Sequence, residues 1–230
     1  MGQTVFITGA NRGIGFAMAQ QCAQRGDEVL ATARNPNGCD AIARLSASGR
    51  VSSFSVDVTD PDRLNDLAHM LSDRSVDLLV CNAGALIGRG GIDDPLYTPD
   101  AFRTVLMTNV AGPFFTVRAL LPLLKRAEGA KVAIISSGMG STARAKGSAY
   151  LYRASKAAAT NLAANLAVEL APHGIAVGAY HPGWVQTDMG GSGADITPAE
   201  SAAGLLERFA ALSLETTGIV EDYRGEPIPL

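Results

Sequence analysis

Short apolar, β-branched runs alternate along the chain with longer segments whose apolar positions recur at helical spacing. Repeated βαβ units building a parallel sheet give that alternation. The runs predict strands over Thr4 to Thr8, Glu28 to Thr32, Val51 to Val56, Val76 to Cys81, Lys131 to Ile135 and Ile175 to Tyr180. The fourth ends in Leu78-Leu79-Val80-Cys81, apolar at successive positions as in a strand buried on both faces. The longer segments predict helices over Gly13 to Arg25, Asp40 to Ala47, Pro61 to Ser72, Pro99 to Arg126, Tyr150 to Leu170 and Pro198 to Leu212. Thr59 or Asp60 can cap the third helix, with Pro61 in its first turn. Gly112-Pro113 interrupts the longest helical stretch and predicts a kink there. Pro172 and Gly174 stop the helix ending at Leu170, and Gly190 to Asp195 reads as a loop. The tail, with a turn at Arg224-Gly225 and with Pro227 and Pro229, has room only for a short edge strand. Right-handed crossovers then give an α/β fold, a Rossmann-type doubly wound parallel sheet with helices on both faces. Residues 1–230 are read as one domain, with ligands expected beyond the carboxyl ends of the strands.

Composition narrows the partners. At 230 residues and 47% hydrophobic, the chain can bury one good-sized core. A net charge of -3 and a pI near 5.6 argue against nucleic acid, which selects a basic face. No apolar run reads as long enough to cross a bilayer, and the N-terminus enters a strand without a basic n-region, so a cytoplasmic protein is expected. Cys22, Cys39 and Cys81 form no CxxC or zinc spacing and are expected as free thiols. His69, His173 and His181 match no ligand pattern, so no metal site is proposed.

Two stretches carry chemistry. Between the first strand and first helix stands T-G-A-N-R-G-I-G, with Gly9, Asn11, Arg12, Gly13, Ile14 and Gly15 as candidates to bind a pyrophosphate. Glycines there let backbone N–H groups approach a phosphate at the helix N-terminus. The spacing Gly-x3-Gly-x-Gly departs from the usual dinucleotide fingerprint. An acidic residue normally follows the second strand to hold the ribose 2′-hydroxyl of NAD, and here Arg34 follows it instead. Arg34 with Arg12 suits a 2′-phosphate, which favours NADP(H) over NAD(H). The second stretch holds Tyr152 and Lys156, four apart and therefore on one helix face. A phenol beside an ammonium is suited to proton transfer, since a nearby cation favours the phenolate.

With these pieces in view the sequence resembles the short-chain dehydrogenase/reductase family over nearly its whole length. The likeness rests on the glycine turn, Asp57-Val58, Cys81-Asn82-Ala83-Gly84, Asn109, Ser136-Ser137, Tyr152-x-x-x-Lys156 and Pro182-Gly183-Trp184-Val185-Gln186-Thr187, in that order. The run His181 to Gly191 and the ending D-Y-R-G-E-P-I-P-L are similar to the C-factor-like and sniffer-like carbonyl reductase branch. The resemblance implies an NADP-dependent reduction of a small or medium ketone or aldehyde, reversible, by a homodimer or homotetramer. It equally leaves room for a signalling protein of the C-factor type that binds dinucleotide with little turnover. By the same resemblance Asp57 and Val58 meet adenine, and Asn82, Ala83 and Gly84 lie against its ribose. Pro182, Val185 and Thr187 hold the carboxamide. Ser137, preferred over Ser136, and Tyr152 bind the carbonyl oxygen. Lys156 binds the nicotinamide ribose and lowers the phenol's pKa, and Asn109 holds a water of a proton relay.

Three features depart from the family pattern or are particular to this chain. Cys81 stands where relatives carry a second asparagine. The connection from Ser137 to Tyr152 is slightly long, and its Arg144 and Lys146 are either cations for an anionic substrate or solvated loop charges. Met189 to Thr197 makes a short lid, implying an open pocket.

Overall fold

The computed structural model describes residues 2–35, 40–46 and 49–230, the side chains of residues 40 and 41 excepted. Cys39 and the predicted helix end at Ala47 lie outside the described residues. Seven parallel strands, β1 Thr4–Thr8, β2 Glu28–Ala33, β3 Val51–Ser55, β4 Leu78–Cys81, β5 Lys131–Ile135, β6 Ala176–His181 and β7 Val220–Asp222, form one sheet in the order β3-β2-β1-β4-β5-β6-β7. Chain order reverses between β1 and β4, and a crevice opens there at the carboxyl ends. The predicted tail strand is β7, which pairs with β6 from Ala179↔Val220 to His181↔Asp222.

The helices are α1 Gly13–Gln24, α2 Asp40–Ser46, α3 Pro61–Met70, α4 Pro99–Leu106, α5 Gly112–Leu124, α6 Tyr150–Leu170 and α7 Pro198–Ala211. Strand alternation sends successive side chains to opposite faces. Phe6, Leu79, Val132 and Val177 meet α3, α5 and α6 through Leu67, Leu120 and Leu166. Val5, Ile7, Val80 and Ile135 meet α1 and α7 through Met18, Leu205 and Phe209. The sheet is thus covered on both faces, as the apolar strands require.

Three local differences from the sequence reading have physical causes. β4 begins at Leu78 because the Asp77 carboxylate accepts the Thr4 amide at 2.7 Å, closing the sheet's amino end with a side chain. The kink expected at Gly112-Pro113 is a π-turn over Met107–Ala111 that joins α4 to α5. Pro113 has no N–H to return to the carbonyl of Asn109, so the helix widens before it. Gly112 follows from contact, since a Cβ there would lie 2.8 Å from Val58 Cγ2. Finally, the continuous helix Pro99–Leu124 is long and apolar enough to cross a membrane, contrary to the sequence reading. Here it is a core helix, with Val117, Leu120, Leu123 and Leu124 buried against the sheet.

Candidate active site

The glycine turn leaves β1 at Thr8 and enters α1 at Gly13. Gly9 and Gly13 take positive φ of 66° and 56°. A Cβ on Gly15 would lie 2.4 Å from the Gly9 carbonyl oxygen and 2.5 Å from Asn82 Nδ2, so only glycine fits. Among the described residues the amino end of α1 has no side-chain cap from Arg12 and no acid in its first turn, an end suited to an anion. Ile14 packs below it against the α1 face of the core, with Asn11 half-buried beside it. A bare glycine cradle under an uncapped helix fits a pyrophosphate.

The end of β4 is tied to this turn. Asn82 Nδ2 donates to the carbonyls of Thr8 (2.9 Å) and Gly9 (3.1 Å), and Thr8 Oγ1 accepts the amides of Asn82 and Ala83 at 3.0 Å each. Asn82 and Thr8 thus make the tie between β4 and the glycine turn, while Cys81 is core. Gly84 faces the interior cluster, where a Cβ would lie 3.5 Å from Asn109 Oδ1 and 3.7 Å from Lys156 Nζ. Asp57 Oδ1 accepts the amide and hydroxyl of Thr59, and Val58 is buried against Gly112.

Asn109 is fully buried in the π-turn. Its Oδ1 accepts the Ala85 amide at 2.7 Å, and its Nδ2 donates to Ala85 O and Ser155 Oγ at 2.9 Å each. Tyr152 and Lys156 share a face of α6, with Lys156 Nζ 5.6 Å from the Tyr152 ring centroid and donating to Ile135 O at 2.7 Å. Ser136 and Ser137 part company after β5. Ser136 Oγ bonds Lys156 O (3.0 Å) and Thr160 Oγ1 (2.6 Å), anchoring α6, whereas Ser137 Oγ accepts the Met139 amide at 3.1 Å and lies beside the Tyr152 phenol. The structure thus brings Ser137, Tyr152, Lys156 and Asn109 together at the crevice.

Burial dominates the electrostatics of the ligand-free pair. Burial pushes the Tyr152 phenol up to about 12, against the hydrogen bond from Ser137 and the positive charge of Arg89. Burial also pushes Lys156 down to about 8. Desolvation therefore dominates both groups in the ligand-free protein, raising an acid that ionises to an anion and lowering a base that ionises to a cation.

The segment after β6 closes the cleft. Pro182 O accepts Ser201 Oγ at 2.7 Å, and Val185 is buried and bridged to Ile196. Thr187 Cγ2 would stand 3.1 Å from a Cβ on Gly13, so this loop reaches the glycine turn. Arg12, assigned to a phosphate from sequence, is ion-paired to Asp188. Arg89 donates to Met189 O. Arg34 is exposed beyond β2, its carbonyl accepting Ser55 Oγ at 2.9 Å. Trp184 is exposed, with Nε1 donating to Gly190 O at 2.8 Å.

Residues 3–195 match the sequence pattern of the short chain dehydrogenase family. The chain belongs to that family. It is 35% identical to 1-hydroxy-2-glutathionyl-2-methyl-3-butene dehydrogenase of Rhodococcus sp. over 96% of this chain and 97% of the relative. It is 38% identical to C-signal of Myxococcus xanthus over 67% of this chain and 92% of that protein. NADPH-bound carbonyl reductase from chicken fatty liver superposes with a TM-score of 0.91 at 31% identity, over 99% of both chains. The carbonyl reductase Sniffer of D. melanogaster does so with a TM-score of 0.92 at 27% identity, over 100% of both. The chain is an oxidoreductase of the short-chain dehydrogenase family with carbonyl reductases among its structural neighbours.

Sequence reasoning missed Thr8, Asp188, Arg89 and Ala149. Thr8 stood next to the glycine turn and Arg89 between Gly88 and Gly90, both visible signals. Ala149 was not legible. It takes a left-handed φ of 49°, alone among the described non-glycine residues, at the start of α6 three residues before Tyr152.

Proposed function

We propose that this chain is an NADP(H)-dependent carbonyl reductase, working reversibly on a small or medium ketone or aldehyde. The observation that carries the reading is the buried Ser137–Tyr152–Lys156 cluster beside an anion-ready glycine turn. Gly9, Asn11, Arg12, Gly13, Ile14 and Gly15 would hold the pyrophosphate, Arg12 and Arg34 the 2′-phosphate, and Asp57 and Val58 the adenine. Asn82, Ala83 and Gly84 would lie along the ribose, and Pro182, Val185 and Thr187 at the carboxamide. Bound there, the nicotinamide would supply or accept a hydride.

The chain's own groups do the rest. The Ser137 and Tyr152 hydroxyls, neighbours at the crevice, can both donate to a carbonyl oxygen as negative charge grows on it. Donors positioned beforehand lower the barrier without reorganising. The Tyr152 proton completes the alcohol, worth about 10²–10⁴ in rate for a well-placed acid. Its high ligand-free pKa keeps it protonated and able to give that proton at neutral pH. Lys156, protonated below about 8, places a positive charge beside the phenolate left behind. Asn109 holds Ala85 and Ser155 beside Lys156, where a bound water could return the proton.

The test is NADPH oxidation over a panel of ketones and aldehydes. Tyr152→Phe should lose at least about 10²-fold in kcat while still binding NADPH. Retained turnover would sink the assignment of the acid. A kcat/KM ratio favouring NADPH over NADH, falling in Arg34→Ala, checks the cofactor; a preference for NADH would overturn it. The likeness to C-signal supports a second reading, a signalling role, and signalling activity that survives Tyr152→Phe would favour it. A homodimer or homotetramer is part of the proposal. Phe102, Leu106 and Phe114 on α4 and α5 and Tyr150 on α6 are exposed, and light scattering should find more than a monomer.

A further inference from the structure

The loop from Gly84 to Thr98, between β4 and α4, is held in one shape by its own side chains. Gly88 has φ +74°, and a Cβ there would lie 2.4 Å from the Tyr97 ring. Asp94 accepts the amides of Arg89 (3.0 Å), Gly90 (2.8 Å) and Leu96 (2.9 Å), which holds its carboxyl below the usual range. Tyr97 donates to Gly90 O at 3.0 Å and accepts the Tyr150 amide at 3.1 Å. The Ala149 amide donates to Gly90 O at 3.1 Å. Arg89 is therefore braced against the first turn of α6, the turn that carries Tyr152.

The Arg89 side chain leaves this brace for the substrate end of the crevice. One nitrogen, Nη2, donates to Met189 O in the lid segment. A guanidinium has five N–H donors, and among the described residues Nε and Nη1 have no protein acceptor. Asp94, which accepts the Arg89 amide, is committed to backbone amides, and Arg89 makes no ion pair among the described residues. Its charge reaches the Tyr152 phenol. A second guanidinium stands on the β5 side, where Arg144 Nη1 would be 3.0 Å from a Cβ on Gly138, next to Ser137. It too has no ion-pair partner among the described residues. Uncompensated cations on both sides of a carbonyl-binding pair describe a place for an anion.

We propose that Arg89 is the anion subsite of this enzyme and that its carbonyl substrate carries a carboxylate, received by the free edge of the guanidinium fork. The inference deepens the carbonyl-reductase reading and rests on it. It turns Arg144, of the two loop cations, toward substrate binding, with Arg89 as the principal group.

The experiment compares straight-chain keto acids with their methyl esters, two to five carbons separating the ketone from the carboxyl, with NADPH. Wild type should favour the best acid over its ester by about tenfold or more, and Arg89→Gln should cut that acid-to-ester ratio by about 10- to 100-fold, the worth of a charge-assisted bidentate contact. Arg89→Lys should restore part of it. Because the ratio divides out any effect on Tyr152 or on the lid, an unchanged ratio in Arg89→Gln overturns the proposal, as does a wild-type preference for the ester. If wild type reduces neither compound, the carbonyl-reductase reading fails on its own. Titration of the keto acid into the NADP⁺-saturated protein, followed by Trp184 fluorescence, then decides the subsite. Binding weakened tenfold or more in Arg89→Gln upholds it, and no binding to wild type, or equal binding to both, overturns it.

Discussion

Tyr152 and Lys156 titrate in opposite directions for one reason, that burial disfavours whichever form is charged. The consequence is measurable in the ligand-free enzyme, which kcat/KM for NADPH reports. Lys156 is protonated below about 8 and loses its charge above it, so kcat/KM for reduction should fall as pH rises through about 8. Tyr152, held up near 12, keeps its proton throughout and adds no second limb below that value. A profile flat from pH 7 to 10 would remove Lys156 from the mechanism. A further residue-scale outcome concerns Arg12, whose pairing with Asp188 competes with any phosphate. Asp188→Asn should free the guanidinium and tighten NADPH with little effect on NADH, as isothermal titration can measure. Weaker NADPH binding would show that the pair instead shapes the site. Tyr152, Lys156 and the glycines were legible because their spacing is local. The Asp188 partner was not, since it lies 176 residues from Arg12 and no local pattern announces a contact made across a crevice.

At the scale of elements, the π-turn over Met107–Ala111 shows what sequence can and cannot supply. Pro113 announced an interruption, and its missing N–H determines where. That the interruption is a widened turn, rather than a bend, depends on Asn109 finding Ala85 and Ser155, two partners from other elements. Likewise Asp77 shortened β4 by capping Thr4 across the sheet, which an apolar run could not foretell. Asn109 thus has a structural role that is separable from any proton relay. Asn109→Leu would strand the Ala85 amide and carbonyl in a buried site, each unmade bond costing about 1–3 kcal/mol before relaxation, while Ser155 keeps its bond to Tyr152 O. Urea unfolding without cofactor should show a loss of about 2–4 kcal/mol. A loss below about 0.5 kcal/mol would mean that water takes over these bonds, and the turn's shape would need another cause.

For the molecule as a whole, the covered sheet and its order followed from the alternation of apolar strands and amphipathic helices, because each strand's faces dictate what must cover them. What the pattern did not carry is the acid response built into the far end of the sheet. His181 ends β6 with Nδ1 buried and without a partner among the described residues, and burial pushes its imidazole down to about 4, with Asp222 opposing and Arg144 acting the same way as burial. The unfolded chain takes up this proton near pH 6.5, whereas the folded chain refuses it until about 4. Between those values the unfolded state binds more protons, so the histidine's contribution to stability is full above pH 6.5 and drains away as pH falls toward 4. The drop amounts to at most about 3.5 kcal/mol, at roughly 1.4 kcal/mol per pH unit across that window. His181→Gln removes the titration while leaving a polar side chain beside Gly138. Chemical unfolding of both proteins at pH 7, 6, 5 and 4.5 separates this effect from the acid response of the carboxylates, which both share. Wild type should lose about 1–3 kcal/mol more than the variant between pH 7 and 4.5. Parallel curves would mean that the imidazole reaches water or Asp222 in solution, and that the orphaned Nδ1 is satisfied there.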